Sequence, residues 1–260
     1  MYWLISLNGN SIILSNLERM NSHHCSLCDE SDDPESENYL MRSSHFNGNQ
    51  NAEEVISAAK GMLQLINGSS AISWGFSNFN NRGLITIDRI FYSEISNPRD
   101  SDLSLVNLSG DIPPSNPFIG TPKRMHPTAN PYQHDTTGLI QLCDDKEDVF
   151  NLLRQSSAGF DWRNLFCIWD TIFYYCGAKG EKAVISELGL DKSEVEAFRG
   201  TANSFEVLGL ESRHGLKSWT RPTKTMTLSE AMGFMSNVVN KYLQKRHCLN
   251  CYRKKWNTLV

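Results

Sequence analysis

The sequence contains no glycine-rich phosphate loop, no His-Glu-x-x-His motif, no nucleophile elbow and no dinucleotide fingerprint. The common NTPase, zincin, serine-hydrolase and Rossmann chemistries are therefore without their signatures. Long apolar runs are missing too: the most hydrophobic stretch, Leu165 to Cys176, is too short to span a bilayer and carries Asp170. The opening residues Met1-Tyr2-Trp3-Leu4-Ile5 have no basic leader, so no secretory signal is expected. Positive charge is not in excess. A formal charge of −4 excludes wholesale coating of nucleic acid and confines any polyanion contact to a local patch. Cysteine is sparse and odd in number at seven, with Cys143, Cys167 and Cys176 in apolar or helical surroundings, which fits a reducing cytoplasm rather than a disulfide framework.

Proline is nearly confined to one place. Seven of the nine prolines lie between Pro98 and Pro131, among Asn, Ser and Gly, where neither regular helix nor central strand can form. Residues 98–140 accordingly read as a linker between an α+β domain at 1–97 and a helical domain with a basic tail at 141–260. With 260 residues, 40% of them hydrophobic and 21% charged, the chain has the make-up of a globular protein with material for a core or two.

In the first stretch, two apolar runs flank Asn8-Gly9, which predicts a β-hairpin over 2–14. Tyr39 to Phe46 reads as a strand. Asn51, with Glu54 three residues on, predicts a helix that Asn67-Gly68 should stop. Ala71 to Phe76 and Leu84 to Tyr92 read as two more strands. The expected fold class is α+β: a small antiparallel N-terminal sheet with one helix, then an all-helical domain. In that second half, Asp161 caps a helix with apolar residues at Trp162, Leu165, Phe166, Trp169, Ile172, Phe173 and Cys176, the spacing of a core helix. Two short helices follow around Gly189-Leu190-Asp191, and Thr227 with Glu230 opens the last helix as a capping box.

Two Cys-x-x-Cys pairs stand near opposite ends of the chain, Cys25/Cys28 and Cys248/Cys251. Two residues between ligands let the backbone wrap one ion, and two such pairs would complete a tetrahedral structural zinc site tying the ends together. The alternatives are two pairs of reduced thiols, or disulfides. Charge favours contact between the ends, since an acidic run from Asp29 to Glu37 follows the first pair and a basic run flanks the second.

The densest polar segment is Phe198-Arg199-Gly200-Thr201-Ala202-Asn203-Ser204, followed by Glu211-Ser212-Arg213-His214-Gly215 and the capped last helix. This order, over residues 144–245, resembles the HEPN superfamily of small helical domains, many of them bacterial ribonucleases of defence and toxin systems. The resemblance implies that His214 acts as general acid or base at a ribose 2′-hydroxyl or its leaving oxygen. Arg199 or Arg213 would then stabilise the phosphorane charge, and Asn203 would orient the group. The alternative is that Arg213-His214-Gly215 is a structural turn.

Glu181 to Phe198 also has the spacing of a helix-turn-helix. Asp191, Glu194 and Glu196 outnumber Lys192 and Arg199 on its second helix, so it would repel phosphates. The run from Lys241 to Trp256 is different. It interleaves Lys241, Lys245, Arg246, Arg253, Lys254 and Lys255 with Tyr242, Tyr252 and Trp256, a mixture that grips single-stranded nucleic acid by phosphate contact and stacking. The expected function is a nucleic-acid-associated factor of a bacterial defence or stress system, cleaving RNA without metal or binding it. The alternative is a non-enzymatic adaptor that docks a protein partner or a second copy through its helical half. No membrane partner is expected.

Overall fold

The computed structural model describes residues 2–18, 24–29, 39–46, 51–95, 102–107, 110–119, 135–177, 180–216 and 221–248. The fold is α+β. A five-stranded antiparallel sheet in the order β2-β3-β1-β4-β5 is built from β1 Tyr2–Asn8, β2 Ser26–Asp29, β3 Tyr39–Arg42, β4 Thr86–Ser93 and β5 Ser104–Leu105. Central β1 buries Trp3 through Leu7 on both faces, pairing Ile5 with Met41 on one side and with Ile90 on the other. Its register with β4 shifts between Ser6 and Leu7.

Three helices accompany the sheet: α1 Ser11–Leu17, α2 Ala52–Trp74 and α3 Phe76–Asn80. Two sequence expectations are overturned here, and both turn on Asn-Gly pairs. Asn8-Gly9 closes no hairpin, because Asn10 next to it accepts a hydrogen bond from the Ile12 amide at 3.1 Å and starts α1. Gly9 is small for a tertiary reason: a Cβ there would lie 3.2 Å from the Ile85 Cα.

Asn67-Gly68 does not stop α2, which runs on through Ala71–Trp74, so the strand expected at Ala71 to Phe76 is helix. The Asn67 amide is used elsewhere. It accepts from the Ile85 amide at 3.0 Å and donates to the Ile85 carbonyl at 2.9 Å, clamping α2 to the start of β4. A Cβ on Gly68 would fall 1.9 Å from the Leu153 carbonyl oxygen, so glycine is what lets another helix lie against α2 at this point. Helix α2 ends at Gly75, whose φ of 86° is unfavourable for other residues.

The remaining helices are α4 Asp135–Asp145, α5 Glu147–Ser156, α6 Trp162–Tyr175, α7 Glu181–Leu188, α8 Lys192–Asn203, α9 Phe205–Leu208 and α10 Leu228–His247. Local signals place the starts of α6 and α10 as the sequence predicts. Asp161 accepts from the Asn164 amide at 2.8 Å, and the Thr227/Glu230 capping box is closed in both directions at 3.2 and 2.7 Å. No helix among the described residues is long and apolar enough to cross a membrane.

The helices pack onto the sheet-bearing stretch through α2, which lies against α4, α5 and α10. One continuous core results, holding Ile5, Leu27 and Met41 of the sheet, Met62 of α2, Leu152 of α5, Trp169 of α6 and Val238 of α10. Within the stretch read as linker, α4 begins at Asp135, and residues 110–119 run along α2. There Ser57 Oγ donates to the Pro113 carbonyl, the Ser115 amide to the Ser57 carbonyl and Lys60 Nζ to the Ile112 carbonyl, at 2.6, 2.9 and 2.7 Å.

Candidate functional site

Asp191 starts α8 by accepting from the Ser193 amide at 2.6 Å, and α8 carries Arg199 and Asn203 in successive turns. After α9 and the 3-10 turn Gly209–Glu211 the chain doubles back, and the Arg213 amide donates to the Ala202 carbonyl at 2.8 Å. The ten residues between them are thereby closed into a loop that sets Arg213 and His214 against the end of α8. The four residues nominated for RNA cleavage do share one corner.

Its electrostatics are those of a fastening. The Arg213 guanidinium lies 2.9 Å from an Asp170 oxygen and 4.0 Å above the centre of the Phe166 ring. Arg199 is ion-paired with Glu181 of α7, and Arg163 donates to the Leu210 carbonyl at 2.7 Å. Burial pushes the Asp170 pKa up, and the charges of Arg213 and Arg199 oppose that rise. Ser212 Oγ donates to the Gly209 and His214 carbonyls, which holds the turn itself. Behind it Phe198 stacks against Trp162 and Phe166. Two buried polar atoms, Arg199 Nε and Asn203 Oδ1, have no hydrogen-bond partner among the described residues.

The proposed metal ligands are placed as follows. Cys25 is buried just before β2, and burial, reinforced by neighbouring Cys28, pushes its thiol far above the ordinary value. Cys28 lies in β2 with its Sγ 3.6 Å from the Leu40 carbonyl oxygen. Cys248, in the left-handed conformation with φ 51°, caps α10 and is disulfide-bonded, one of the alternatives open in the sequence. Cys251 lies outside the described residues, as do Arg253, Lys254, Lys255 and Trp256. Among the described residues no group of three or more His, Cys, Asp or Glu side chains is placed to hold a metal ion.

The start of the basic run is well defined. Asp148, at the N-terminus of α5, accepts from the Tyr242 hydroxyl and pairs with His247 Nε2, each at 2.6 Å, and so fastens the last turn of α10. Burial alone would raise the Asp148 pKa, but the hydrogen bonds from His247 and Tyr242, with the His247 charge, outweigh it and bring it down to about 2. Burial, with the same carboxylate second, pushes the Tyr242 hydroxyl well above its ordinary range.

Held this way, α10 forms one wall of a cavity of about 630 Å³ shared with the ends of α2 and α7. Trp74, Ser73, Asn240, Lys241, Lys245 and Glu187 line it, among others. Lys241 Nζ donates to the Gly189 carbonyl at the end of α7 at 2.6 Å, leaving further N–H donors on the ammonium. Arg246 neutralises Glu187 at 2.8 Å. Lys245 is exposed and has no ion pair or hydrogen bond among the described residues. The Arg82 guanidinium sits 4.9 Å from the centre of the Trp74 ring. The sequence nominated Lys241, Lys245 and Arg246 but missed Trp74 and Ser73, which read as the interior of a strand. A continued helical period through Asn67-Gly68 was the only signal that could have placed them. No family model, curated protein or solved structure matches the chain.

Proposed function

We propose that the protein binds single-stranded nucleic acid, RNA foremost, at the end of α10. One observation carries this reading: an aromatic residue, Trp74, and two lysines, Lys241 and Lys245, line the same cavity at the point where the basic run begins. Stacking on an aromatic ring contributes about 1–3 kcal/mol per base and tolerates any sequence. Phosphate contacts supply the rest and make affinity fall with salt. The net charge of −4 keeps the attraction local to this patch.

The test is fluorescence anisotropy of labelled uridine and adenosine oligomers against the full chain at two salt concentrations. Saturable binding that weakens with salt and falls about tenfold in Lys245→Glu and in Trp74→Ala is the expected result. Absence of binding, or affinity unchanged in both variants, overturns the reading.

A second reading, metal-independent RNA cleavage at the arginine corner, is favoured by the Arg213–Ala202 hydrogen bond that gathers Arg199, Asn203, Arg213 and His214. Against it, both arginines are already paired with carboxylates, so phosphate would have to displace Glu181 or Asp170. We expect equal and negligible cleavage of labelled RNA in EDTA by the wild type and His214→Ala. Cleavage by the wild type alone, leaving a 2′,3′-cyclic phosphate, would move the function to the corner.

A further inference from the structure

The cavity at the end of α10 has features that a path for a continuous strand does not require. A strand interior presents one negative charge per phosphodiester, whereas a terminal phosphate monoester carries about −1.5 to −2 near neutral pH and three acceptor oxygens. Two ammonium groups, Lys241 and Lys245, stand on successive turns of α10 and line the same cavity. Beside them is a hydroxyl without a role in the fold. Ser69, one turn earlier in α2, bonds back to the Leu65 and Ile66 carbonyls at 2.8 and 3.0 Å. Ser73, a lining residue of the cavity, does not: its Oγ is buried and has no hydrogen-bond partner among the described residues. A buried hydroxyl left unsatisfied is costly, and an acceptor oxygen arriving from the cavity would relieve that cost.

Size points the same way. About 630 Å³ lies within the range of small-molecule sites, roughly 300–1,000 Å³, and suits one nucleotide rather than a run of them. Trp74 supplies the face for its base, with Arg82 against the indole. The one carboxylate in the lining, Glu187, is neutralised by Arg246, so it does not repel the anion as a free charge would.

We propose that this cavity seats the phosphorylated end of a strand: a terminal nucleotide whose base lies against Trp74 and whose phosphate monoester bonds to Lys241, Lys245 and the Ser73 hydroxyl. The inference rests on the single-strand binding proposed above and adds the ligand's chemical class. Free nucleoside monophosphates are ligands on the same chemistry.

The experiment compares oligomers of one sequence bearing a 5′-phosphate, a 3′-phosphate or hydroxyl ends, with adenosine and uridine monophosphates, the unphosphorylated nucleosides and inorganic phosphate as competitors. One phosphorylated end should bind about tenfold tighter than the hydroxyl-ended strand, the equivalent of one strong charged contact. Which end does so identifies the polarity. Ser73→Ala should reduce that preference about threefold while leaving the hydroxyl-ended strand unaffected, since it removes one hydrogen bond. Lys241 also bonds to the end of α7, so Lys245→Glu is the cleaner charge variant and should abolish the preference. Equal affinity for all three strands overturns the inference and leaves single-strand binding standing. Competition by inorganic phosphate as strong as by the monophosphates reduces the site to an anion site and also overturns it. Binding of no strand while the monophosphates bind and the nucleosides do not sustains the pocket's chemistry and sinks the strand reading.

Discussion

The arginine corner and the α10 cavity are both rich in cationic side chains, and they use them differently. At the corner, Arg199, Arg213 and Arg163 are all engaged, by Glu181, by Asp170 and Phe166, and by main-chain carbonyls. In the cavity, Lys245 has no partner among the described residues, Lys241 keeps donors in reserve and the Ser73 hydroxyl is unsatisfied. A guanidinium fork that meets a carboxylate and an aromatic face serves to hold elements together. An ammonium near an orphaned hydroxyl and a half-buried ring has capacity left for a ligand. Counting charge in a sequence cannot separate these two uses, because the difference lies in what each charge already touches.

The largest effect is expected where the frame common to both regions is attacked. Gly68→Ala puts a methyl group 1.9 Å from the Leu153 carbonyl oxygen, a backbone atom that cannot swing aside, so α2 and α5 must part. A loss of about 3 kcal/mol in denaturant unfolding is expected, with corner and cavity failing together. Stability within about 0.5 kcal/mol of wild type would show that the two helices do not meet this closely.

Next comes a change that reaches the cavity and spares the corner. Asp148→Asn removes the charge that holds Tyr242 and His247, and should cost about 2 kcal/mol while loosening the end of α10. Its pH dependence has a definite sign. The folded pKa lies below the ordinary 3.8, so the carboxylate's contribution is complete above that value and is lost as pH falls through about 2. Melting curves of the wild type and Asp148→Asn should therefore converge between pH 4 and pH 2. A constant gap down to pH 2 would contradict the assignment.

A smaller pair of substitutions crosses the comparison. Arg199→Gln breaks a half-exposed ion pair and should lower stability by about 1 kcal/mol or less, with strand affinity unchanged. Lys245→Glu should do the reverse, leaving unfolding within about 0.5 kcal/mol of wild type while affinity falls. If Arg199→Gln weakens binding more than Lys245→Glu does, the roles of the two regions are exchanged.

The smallest effect is expected at the cysteines. In denatured, unreduced protein Cys25 and Cys28 should alkylate and Cys248 should not, with less than about 0.2 zinc per chain and no change in melting on chelation. Alkylation of Cys248, with one zinc per chain, would establish the shared zinc site.

What the sequence determined by itself is what short-range chemistry decides. Asn51, Asp161 and the Thr227/Glu230 box start their helices because each cap bonds to an amide two or three residues away, and that spacing is visible in the chain. The core face of α6 and the α+β class were legible for the same reason, since apolar periodicity is local. Asn67-Gly68 misled because its roles are set by distant partners, Ile85 and Leu153, which no local spacing announces, whereas beside Asn8-Gly9 the Asn10 cap of α1 was a local signal read as part of a turn. The site divides along the same line. Lys241, Lys245 and Arg246 were evident as a basic run, but their meeting with Trp74 and Ser73 depends on α2 continuing past Gly68 and on Asp148 fastening the end of α10. Both are tertiary contacts between residues far apart in the chain, and they decide which charges are used by the fold and which remain for a ligand.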